Sequence, residues 1–561
     1  MGSVVGPVCS PQIGPVAHTI HRQSVRPAVR AVMTSLCQVC SAPAAHRCAG
    51  CQQVAYCGRD HQRADWKTQH RNQCRRFKVV RNDRLGRHLV ATRHIKQGEI
   101  IYRDEPYAVG PKIANVPLCL GCNRNLMPLL QQSGSGADRF HECGRCGWPL
   151  CGPTCEESAQ HRTECAVLAA SGYRPNIRPH PSNPEHRESA YCVIVPLRVL
   201  LLERNAPERY ATVQGFESHL TERLASPLYG VLRSNLVPFV RKVLGLQQYS
   251  EQTVLQLSAI LDTNCYEIRL PDQHVKVRGL YPLGAMLSHD CRPNTKHYFD
   301  DRLHMVLVAT VDIPEGAVIH ASYTQPLLGT VQRRLALRQA KCFDCACERC
   351  TDPTEHGTEA SGFRCPNCRR TPSLVLAVEP TNYRSVWRCQ NRRCSYQERP
   401  EQYVARCEQL QQELLALDRT DPAAYESFLV RHESTLHRWN AYILQAKYAL
   451  TQLLSSGRTT NRMTKAPSET STRRTIELCR DLLAVADRLE PGYGTFRTKL
   501  LLELGTALGA LHSLGVLSDP ERQEWCTVRT ELERIAKTDP TVDVSSFGDS
   551  VVSEKGPLYC S

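Results

Sequence analysis

Long apolar runs are absent from this sequence. The longest apolar stretches, such as 191–202, are short, and that one contains a charged residue, Arg198. A membrane-spanning helix needs roughly 20 apolar residues, so we expect no membrane association. No apolar h-region follows Met1, which argues against a secretory signal peptide. A composition of 41 % hydrophobic and 22 % charged residues also excludes a wholly disordered or collagen-like chain.

Acidic residues are absent from the first 36 positions, although Arg22, Arg26 and Arg30 lie there. A mitochondrial presequence has the same bias. Several prolines and Gly14 break any helix in this stretch. We therefore predict a disordered tail at 1–36, with a mitochondrial presequence as the alternative.

Cysteine, in contrast, is abundant, with 29 among 561 residues. Many of these cysteines form Cys-x2-Cys pairs with histidines nearby, a spacing typical of zinc ligands and not of disulfides. Reduced, zinc-bound thiolates indicate the cytosol or the nucleus. The net charge of +15 permits acidic partners. Basic clusters such as 75–78 are explained equally well by solvated surfaces, so direct DNA binding is not favoured.

Two stretches, a first finger at 37–74 and a second finger at 117–165, each contain eight candidate ligands and end in His-x3-Cys. Eight ligands in four pairs suggest two interleaved zinc ions, with alternate pairs on each ion. The predicted sets in the first finger are Cys37, Cys40, Cys57 and His61, and Cys48, Cys51, His70 and Cys74. Those in the second finger are Cys119, Cys122, Cys151 and Cys155, and Cys143, Cys146, His161 and Cys165. Stretches this short bury too little surface to fold alone, and zinc supplies on the order of 10 kcal/mol per site.

Two further cysteine clusters follow. Cys345, Cys347 and Cys350 need a fourth ligand, for which Cys291 is the candidate. A possible zinc ribbon contains Cys365, Cys368, Cys389 and Cys394, although its second pair has an unusual spacing. The sequence thus predicts five zinc sites, and a sixth if the ribbon binds metal.

Strand and helix patterns alternate along the chain. Two β-rich runs around a turn occupy 89–102, helical spacing of apolar residues covers 186–262, and strands return at 281–323, with alternation at 305–311. After residue 400 the spacing becomes helical again. The Ser-, Thr- and Arg-rich stretch 455–474 is predicted to be an exposed loop.

Several motifs occur in a recognisable order. A Gly-Arg-x-Leu-Val-Ala opening at Gly86 precedes the second finger and the helical region. Next come Leu-Tyr-Pro, Ser-His-Asp-Cys-x-Pro-Asn at 288–294, an Ile-Pro-Glu-Gly turn leading to Tyr323, and Cys-x-Cys-x2-Cys. This order resembles a SET domain interrupted by a MYND zinc finger, as in the SMYD family. The extra N-terminal finger resembles that family's arthropod branch, called SmydA or msta-like. In the first finger, His61 stands where MYND fingers usually have cysteine.

The resemblance implies an α+β fold. It would contain a split SET β-core, MYND and helical insertions, a post-SET zinc site and a C-terminal all-α, TPR-like helical domain. The expected divisions are a tail at 1–36, the first finger at 37–74, the SET N-terminal part at 81–116, the second finger at 117–165, a helical insert at 166–280, the SET catalytic core at 281–340, the post-SET zinc site at 341–352, the possible ribbon at 363–396 and the C-terminal helical domain at 400–540.

The resemblance also implies an activity, a protein-lysine N-methyltransferase that uses S-adenosylmethionine. Its substrates would be histones or other proteins, and its role the regulation of transcription and chromatin in the nucleus and cytoplasm. Tyr323 matches the catalytic tyrosine. Positions that match donor-binding or channel residues are Gly86, Arg87, His88, Asn264, Ser288, His289 and Phe343. MYND fingers commonly bind proline-containing peptides of transcriptional regulators.

Four departures from the family pattern keep a second function open. The donor loop, usually Gly-x-Gly, ends here in His88, Ser288 replaces an asparagine, Ala285 replaces a serine, and Lys341 replaces an aromatic residue of the channel wall. Each loss weakens donor binding by about 1–3 kcal/mol if a buried group remains unpaired. The alternative is a catalytically inactive SET-MYND adaptor that recruits transcriptional regulators through its zinc fingers.

Overall fold

The computed structural model describes residues 36–48, 54–74, 76–112, 115–128, 140–177, 189–270, 276–368, 370–456 and 468–545. The chain divides into two compact units. Unit 1 comprises Met1–Tyr102, Ser288–Tyr298 and Leu307–Ser561, and unit 2 comprises Arg103–Leu287 and Phe299–Val306. Strands and helices occur in both units, which confirms the α+β prediction. None of the helices among these described residues is long and apolar enough to cross a membrane.

The first finger is built from very short elements. They are β1 (His46–Arg47), β2 (Ala55–Tyr56), α1 (Arg59–Asp65), a π-helical turn (Trp66–His70) and α2 (Arg71–Cys74). Its cluster of buried hydrophobic residues consists of three cysteines and Tyr56. So small an apolar cluster cannot hold the chain by burial alone. Cys51 and residues 1–35 of the tail predicted at 1–36 lie outside the described residues.

Three strands follow the first finger: β3 (Phe77–Asn82), β4 (Gly86–Ala91) and β5 (Ile100–Asp104). β3 and β4 pair antiparallel, with Val79 opposite Leu89. The turn before β5 contains Gly98 at φ +80°, a conformation that favours glycine. The two strands predicted at 89–102 are therefore present, but the hairpin partner of β4 is β3, which the sequence analysis did not predict.

Unit 2 contains the second finger, the helical insert and a small sheet. The first elements are β6 (Ala108–Pro111), β7 (His141–Glu142), β8 (Pro149–Leu150), α3 (Pro153–Glu156) and α4 (Ala159–Ala170). The helices that follow are α5 (Ile194–Leu200), α6 (Leu202–Asn205), α7 (Pro207–Gln214), α8 (Leu220–Leu224), α9 (Pro227–Pro238) and α10 (Glu251–Asn264). A 3-10 turn (Ser189–Val193) precedes α5, and a π-helical turn (Phe239–Val243) follows α9.

The end of the predicted helical insert, 166–280, is not helical. Two antiparallel strands, β9 (Cys265–Arg269) and β10 (Lys276–Leu280), follow α10, and β6 pairs with the other edge of β10. Ser250 caps the N-terminus of α10 by accepting a hydrogen bond from the N–H of Thr253.

The segment around the predicted catalytic tyrosine combines short strands with one helix. Its elements are a 3-10 turn (Gly284–Met286), β11 (Ser288–His289), β12 (Thr295–Phe299), β13 (Met305–Ala309), β14 (His320–Ala321) and α11 (Thr330–Lys341). The alternation predicted at 305–311 is wrong, because every residue of β13 is buried. A strand covered on both faces has no solvent side to produce a period of two.

A short helix and a four-stranded antiparallel sheet come next, in unit 1. They are α12 (Glu348–Thr351), β15 (Phe363–Arg364), β16 (Leu374–Ala377), β17 (Trp387–Cys389) and β18 (Gln397–Glu398), with the strands paired in chain order. This sheet coincides with the predicted ribbon. Trp387 stacks on Tyr403 of the following helix, with ring centroids 3.4 Å apart.

Six helices complete the described part of unit 1: α13 (Pro400–Ala416), α14 (Pro422–His432), α15 (Ala441–Ser456), α16 (Glu469–Leu489), α17 (Thr495–Ser513) and α18 (Asp519–Ala536). Leu501, Leu504 and Leu508 are buried, as their helical spacing predicts. The loop predicted at 455–474 is wrong at its end, since Ser468 caps α16 and the helix begins at Glu469. Residues 457–467 lie outside the described residues.

Candidate functional site

Tyr323 lies at the end of a short parallel strand pair. β11 and β14 pair so that His289 is opposite Ala321, which brings the His289 ring beside the tyrosine two residues further on. The backbone N–H of Tyr323 donates to Nδ1 of His289 at 3.0 Å, and the two ring centroids are 5.2 Å apart. The Phe343 ring lies 5.9 Å from that of His289. Three of the predicted site residues are therefore neighbours.

His289 also connects this site to a thiol. Because its Nδ1 accepts from Tyr323, its proton is on Nε2, which donates to Sγ of Cys291 at 3.3 Å. A thiolate bound to zinc would accept this hydrogen bond well. The ring of His289 is thus fixed from both sides.

The Tyr323 side chain is 37 % exposed, yet burial raises the pKa of its hydroxyl well above the usual range. A tyrosine phenol is protonated at neutral pH, and this shift moves its ionisation still further from that range. The Nζ of Lys341 lies over the ring, 5.4 Å from its centroid, within the range of a cation–π interaction. A protonated hydroxyl in this position can orient a small polar group.

The predicted donor loop begins β4. Gly86 has φ +63°, and a Cβ atom at this position would have no other atom within 4 Å. A ligand therefore has room to approach the backbone of Gly86. Arg87 is exposed, whereas His88 is 2 % exposed, and its Nδ1–H donates to the carbonyl of Gly86 at 3.0 Å. β4 continues by exchanging backbone hydrogen bonds with the stretch 317–319 that leads to β14. The loop and Tyr323 are therefore connected through unit 1.

Ser288 and Asn264 also match donor-binding positions, and their side chains have different hydrogen-bond partners. Ser288 is buried, and its Oγ is hydrogen-bonded to Nδ1 of His320 at 3.2 Å. Burial lowers the pKa of His320, so that ring is neutral at physiological pH. Asn264 belongs to unit 2, at the end of α10, where its side-chain amide donates to the carbonyls of Glu217 and Ile260. Both amide hydrogens of Asn264 are thus used within unit 2.

In the first finger the structure brings the ligand atoms of one predicted zinc set close together. The ligand atoms of Cys37, Cys40, Cys57 and His61 lie within 4.8 Å of one another. Zinc–sulfur bonds of about 2.3 Å in a tetrahedron separate the sulfurs by about 3.8 Å, and Cys40 and Cys57 are 3.7 Å apart. Of the other set, Cys48 and Cys74 are 3.6 Å apart and His70 is buried. Cys51, its fourth member, is among the residues left undescribed.

In the second finger both predicted sets are gathered. The ligand atoms of Cys119, Cys122, Cys151 and Cys155, and those of Cys143, Cys146, His161 and Cys165, each lie within 4.8 Å of one another. The Nδ1–H of His161 donates to the carbonyl of Glu156, which leaves Nε2 facing Cys146 at 3.4 Å. Such an outer hydrogen bond fixes the ring of a ligating histidine.

A buried ion pair joins the second finger to the helical insert. Arg198 of α5 donates to both carboxylate oxygens of Glu164 in α4, at 2.5 and 2.6 Å. It also donates to the backbone carbonyls of Val109 and Leu120. Glu164 is fully buried and Arg198 is 8 % exposed. Sequence reasoning missed this pair. The sequence feature that could have indicated it was the arginine inside the apolar stretch 191–202.

The post-SET cysteines are also gathered. The ligand atoms of Cys291, Cys345, Cys347 and Cys350 lie within 4.8 Å of one another, and all four residues are buried. The Arg333 guanidinium lies 3.2 Å from Sγ of Cys291 and 3.5 Å from Sγ of Cys350. Four thiolates around one Zn²⁺ carry a net negative charge, which this buried cation offsets.

Arg333 in turn belongs to a buried ionic group. It donates to Glu355 at 2.5 Å, and Arg349 donates to the same carboxylate oxygen at 3.0 Å. All three side chains are at most 1 % exposed. The two guanidinium groups hold the pKa of Glu355 at about 2 despite its burial. Sequence reasoning missed these residues, since nothing in their spacing marks them.

The ribbon residues Cys365, Cys368, Cys389 and Cys394 form the last cluster, again with ligand atoms within 4.8 Å of one another. Cys365 and Cys394 are 3.8 Å apart, and Cys368 and Cys389 are 3.7 Å apart. These separations fit a tetrahedral zinc ion. The irregular spacing of the second pair in sequence does not prevent the four sulfurs from meeting.

Known protein families match two regions of the chain. A MYND finger model matches residues 37–74, and a SET domain model matches residues 86–324. SET domain-containing protein SmydA-8, isoform A, of Drosophila melanogaster is 28 % identical over 316 residues, 54 % of this chain and 62 % of that protein. Histone-lysine N-methyltransferase ASHR1 of Arabidopsis thaliana is 23 % identical over 318 residues, 53 % of this chain and 61 % of ASHR1. The similarity thus spans less than two thirds of each relative.

The two matched models occur in the order that the motifs predict, with the second finger inside the SET match. Histone-lysine N-methyltransferase SMYD3 of Homo sapiens adds a further relative, 25 % identical over 281 residues, 47 % of this chain and 59 % of SMYD3. The predicted resemblance is thereby confirmed: the chain contains a MYND finger and a SET domain, and it is similar to SET and MYND domain proteins of the SMYD family, SmydA-8 among them.

Proposed function

We propose that this protein is a protein-lysine N-methyltransferase that uses S-adenosylmethionine. The observation that carries the proposal is the arrangement of Tyr323, His289 and Phe343 within a matched SET domain. Relatives named as histone-lysine N-methyltransferases support the reaction class. The substrates are then lysines of histones or other proteins.

The site residues fit such a reaction, for which the donor, when bound, supplies the methyl group. A lysine ammonium has a pKa near 10.4, so the acceptor amine must lose a proton before it can attack. The hydroxyl of Tyr323 can orient that amine, since a tyrosine phenol is protonated at neutral pH and burial raises its pKa further. His289 holds the backbone of Tyr323 in place, while the rings of His289 and Phe343 help to exclude water.

The fit to the donor is good at Gly86, whose surroundings are open, and poorest at His88, whose imidazole is buried against the same loop. This buried imidazole favours a second candidate function. In that case the protein is a catalytically inactive adaptor that recruits transcriptional regulators through its fingers. Either role agrees with a place in the nucleus and cytoplasm and with proline-containing peptides as MYND ligands.

Calorimetric titration with S-adenosylmethionine and a methyl-transfer assay test the proposal together. We expect the zinc-loaded wild type to bind the donor and to methylate protein lysines. Tyr323→Phe should bind the donor normally but lose about a hundredfold in transfer rate, because it lacks only the hydroxyl.

The double variant His88→Gly/Ser288→Asn separates the two functions. Donor binding that appears only in this variant, with none in the wild type, would contradict the methyltransferase proposal and favour the adaptor.

A further inference from the structure

A cation lies against the candidate catalytic tyrosine. Lys341 is the last residue of α11, and its Nζ is 5.4 Å from the centroid of the Tyr323 ring. The His289 ring lies 5.2 Å from the Tyr323 ring, and the Phe343 ring lies 5.9 Å from that of His289. The family pattern has an aromatic residue where this chain has Lys341. The surroundings of an acceptor lysine at Tyr323 are therefore more positive here than in that pattern.

Other basic groups lie close to the same segment of unit 1. Arg338, one turn before Lys341 on α11, donates to Asp344 at 2.6 Å, and Arg334 lies 3.6 Å from the same carboxylate. The hydrogen bond from Arg338 holds the pKa of Asp344 below its usual range. The charge of Asp344 is thus offset by two arginines, and Lys341 adds a further positive charge on the same helix.

The loop before β4 adds another cation. Arg84 is exposed and donates to the carbonyl of Ala346, three residues beyond Phe343. An acidic residue, Asp290, also belongs to this unit, and its backbone N–H donates to the carbonyl of Ala321. Arg84 thus brings a positive charge to the segment after Phe343, whereas Asp290 brings a negative one to the backbone beside Ala321.

We propose that Lys341 is a specificity-determining residue, which selects acceptor segments with an acidic residue beside the target lysine. The proposal rests on the methyltransferase function and narrows its substrate class. A unit charge several ångströms away in a half-exposed site attracts a carboxylate and repels an ammonium or guanidinium, which changes affinity by about tenfold at low ionic strength. Basic tails, with arginine or lysine on both sides of the acceptor, are disfavoured for the same reason.

Two peptides of equal length, each with a single lysine, test the proposal. One has Asp and Glu beside the lysine, and the other has Arg at those positions. Affinity for the zinc-loaded full chain is measured by fluorescence anisotropy at low and high salt, and methyl transfer is measured in parallel. We expect about tenfold tighter binding of the acidic peptide, with a preference that shrinks as salt screens the charges.

Charge variants identify the residue responsible. Lys341→Met should reduce the preference to about threefold, and Lys341→Glu should reverse it. The matched control is Lys96→Met, which removes an equal charge from the exposed turn before β5 and should leave the preference unchanged. A zinc content equal to that of the wild type checks that each variant is folded.

Equal affinities in the wild type, a preference that survives Lys341→Glu, or no binding of either peptide would each overturn this assignment. A Lys341-dependent binding preference without any methyl transfer would contradict the methyltransferase function and leave the charge-selective recognition standing. The two ideas therefore fail separately.

Discussion

At the scale of single residues, Asp104 makes stability depend on pH. Asp104 is 3 % exposed, accepts hydrogen bonds from the N–H groups of Leu283 and Gly284, and has its pKa raised by burial to about 7. An unfolded aspartate titrates near 3.9. Between about pH 4 and 7 the folded protein therefore binds more protons than the unfolded one, so the free energy of unfolding falls as pH rises.

Asp104→Asn keeps the accepting oxygen and removes the titration. We expect calorimetric unfolding of the variant to vary less between pH 5 and 8, and the variant to be more stable at pH 8 by about 1–2 kcal/mol. The exposed Asp83→Asn serves as the control. An unchanged pH dependence in Asp104→Asn would show that the Asp104 carboxyl group titrates normally.

Single residues differ in how far the sequence reveals their roles. Tyr323 and His289 stand in a recognisable motif order, and the structure brings them together. The pairing of Arg198 with Glu164 depends on two helices meeting, and 34 positions separate the partners in sequence. Neither periodicity nor spacing encodes such a contact, so only the folded structure shows that these charges are buried.

At the scale of elements, the ribbon of β15–β18 is expected to bind its own zinc ion. Cys389→Ser removes a ligand from β17 and should lower the zinc content by one equivalent, as measured by mass spectrometry. Loss of the metal should also loosen the stacking of Trp387 on Tyr403, with a visible change in tryptophan fluorescence. Cys526→Ser, in α18 and outside the five gathered ligand sets described above, is the control. Full zinc retention by Cys389→Ser would contradict metal binding by the ribbon.

Elements were predicted best where apolar periodicity is strong. The helical spacing at 186–262 and after residue 400 corresponds to helices. β3 was missed because four of its six residues are exposed, and because apolar and polar residues do not alternate along its whole length. β9 was missed because it directly follows α10 without a turn signal. The start of α16 was missed because its first turn is polar and shows no apolar periodicity. The helix begins there because Ser468 caps its N-terminus.

At the scale of the whole molecule, sequence order and spatial grouping differ. The predicted SET N-terminal part crosses from unit 1 into unit 2, and the second finger belongs wholly to unit 2, while the first finger belongs to unit 1. From ligand spacing alone, both fingers were predicted to bind two interleaved zinc ions in the same way. Their surroundings differ, because Arg198 ties the second finger to its unit through buried contacts, whereas Cys40 and Cys57 of the first finger are exposed.

This difference predicts the order in which the protein loses zinc. Exposed thiolates are reached by a chelator directly, whereas buried ones require local opening of the structure first. We expect a colorimetric chelator to extract zinc in at least two phases, with the site of Cys37, Cys40, Cys57 and His61 in the fast phase. The all-buried sets at Cys143 and Cys291 should release their zinc in the slow phase.

Two variants assign the phases. Cys57→Ser in the first finger should remove amplitude from the fast phase alone, and Cys146→Ser in the second finger should remove it from the slow phase alone. Slow-phase loss in Cys57→Ser would mean that exposure of the ligands does not control release. In that case the stability of each folded unit, and not the access of solvent to its sulfurs, would determine how this protein holds its metal.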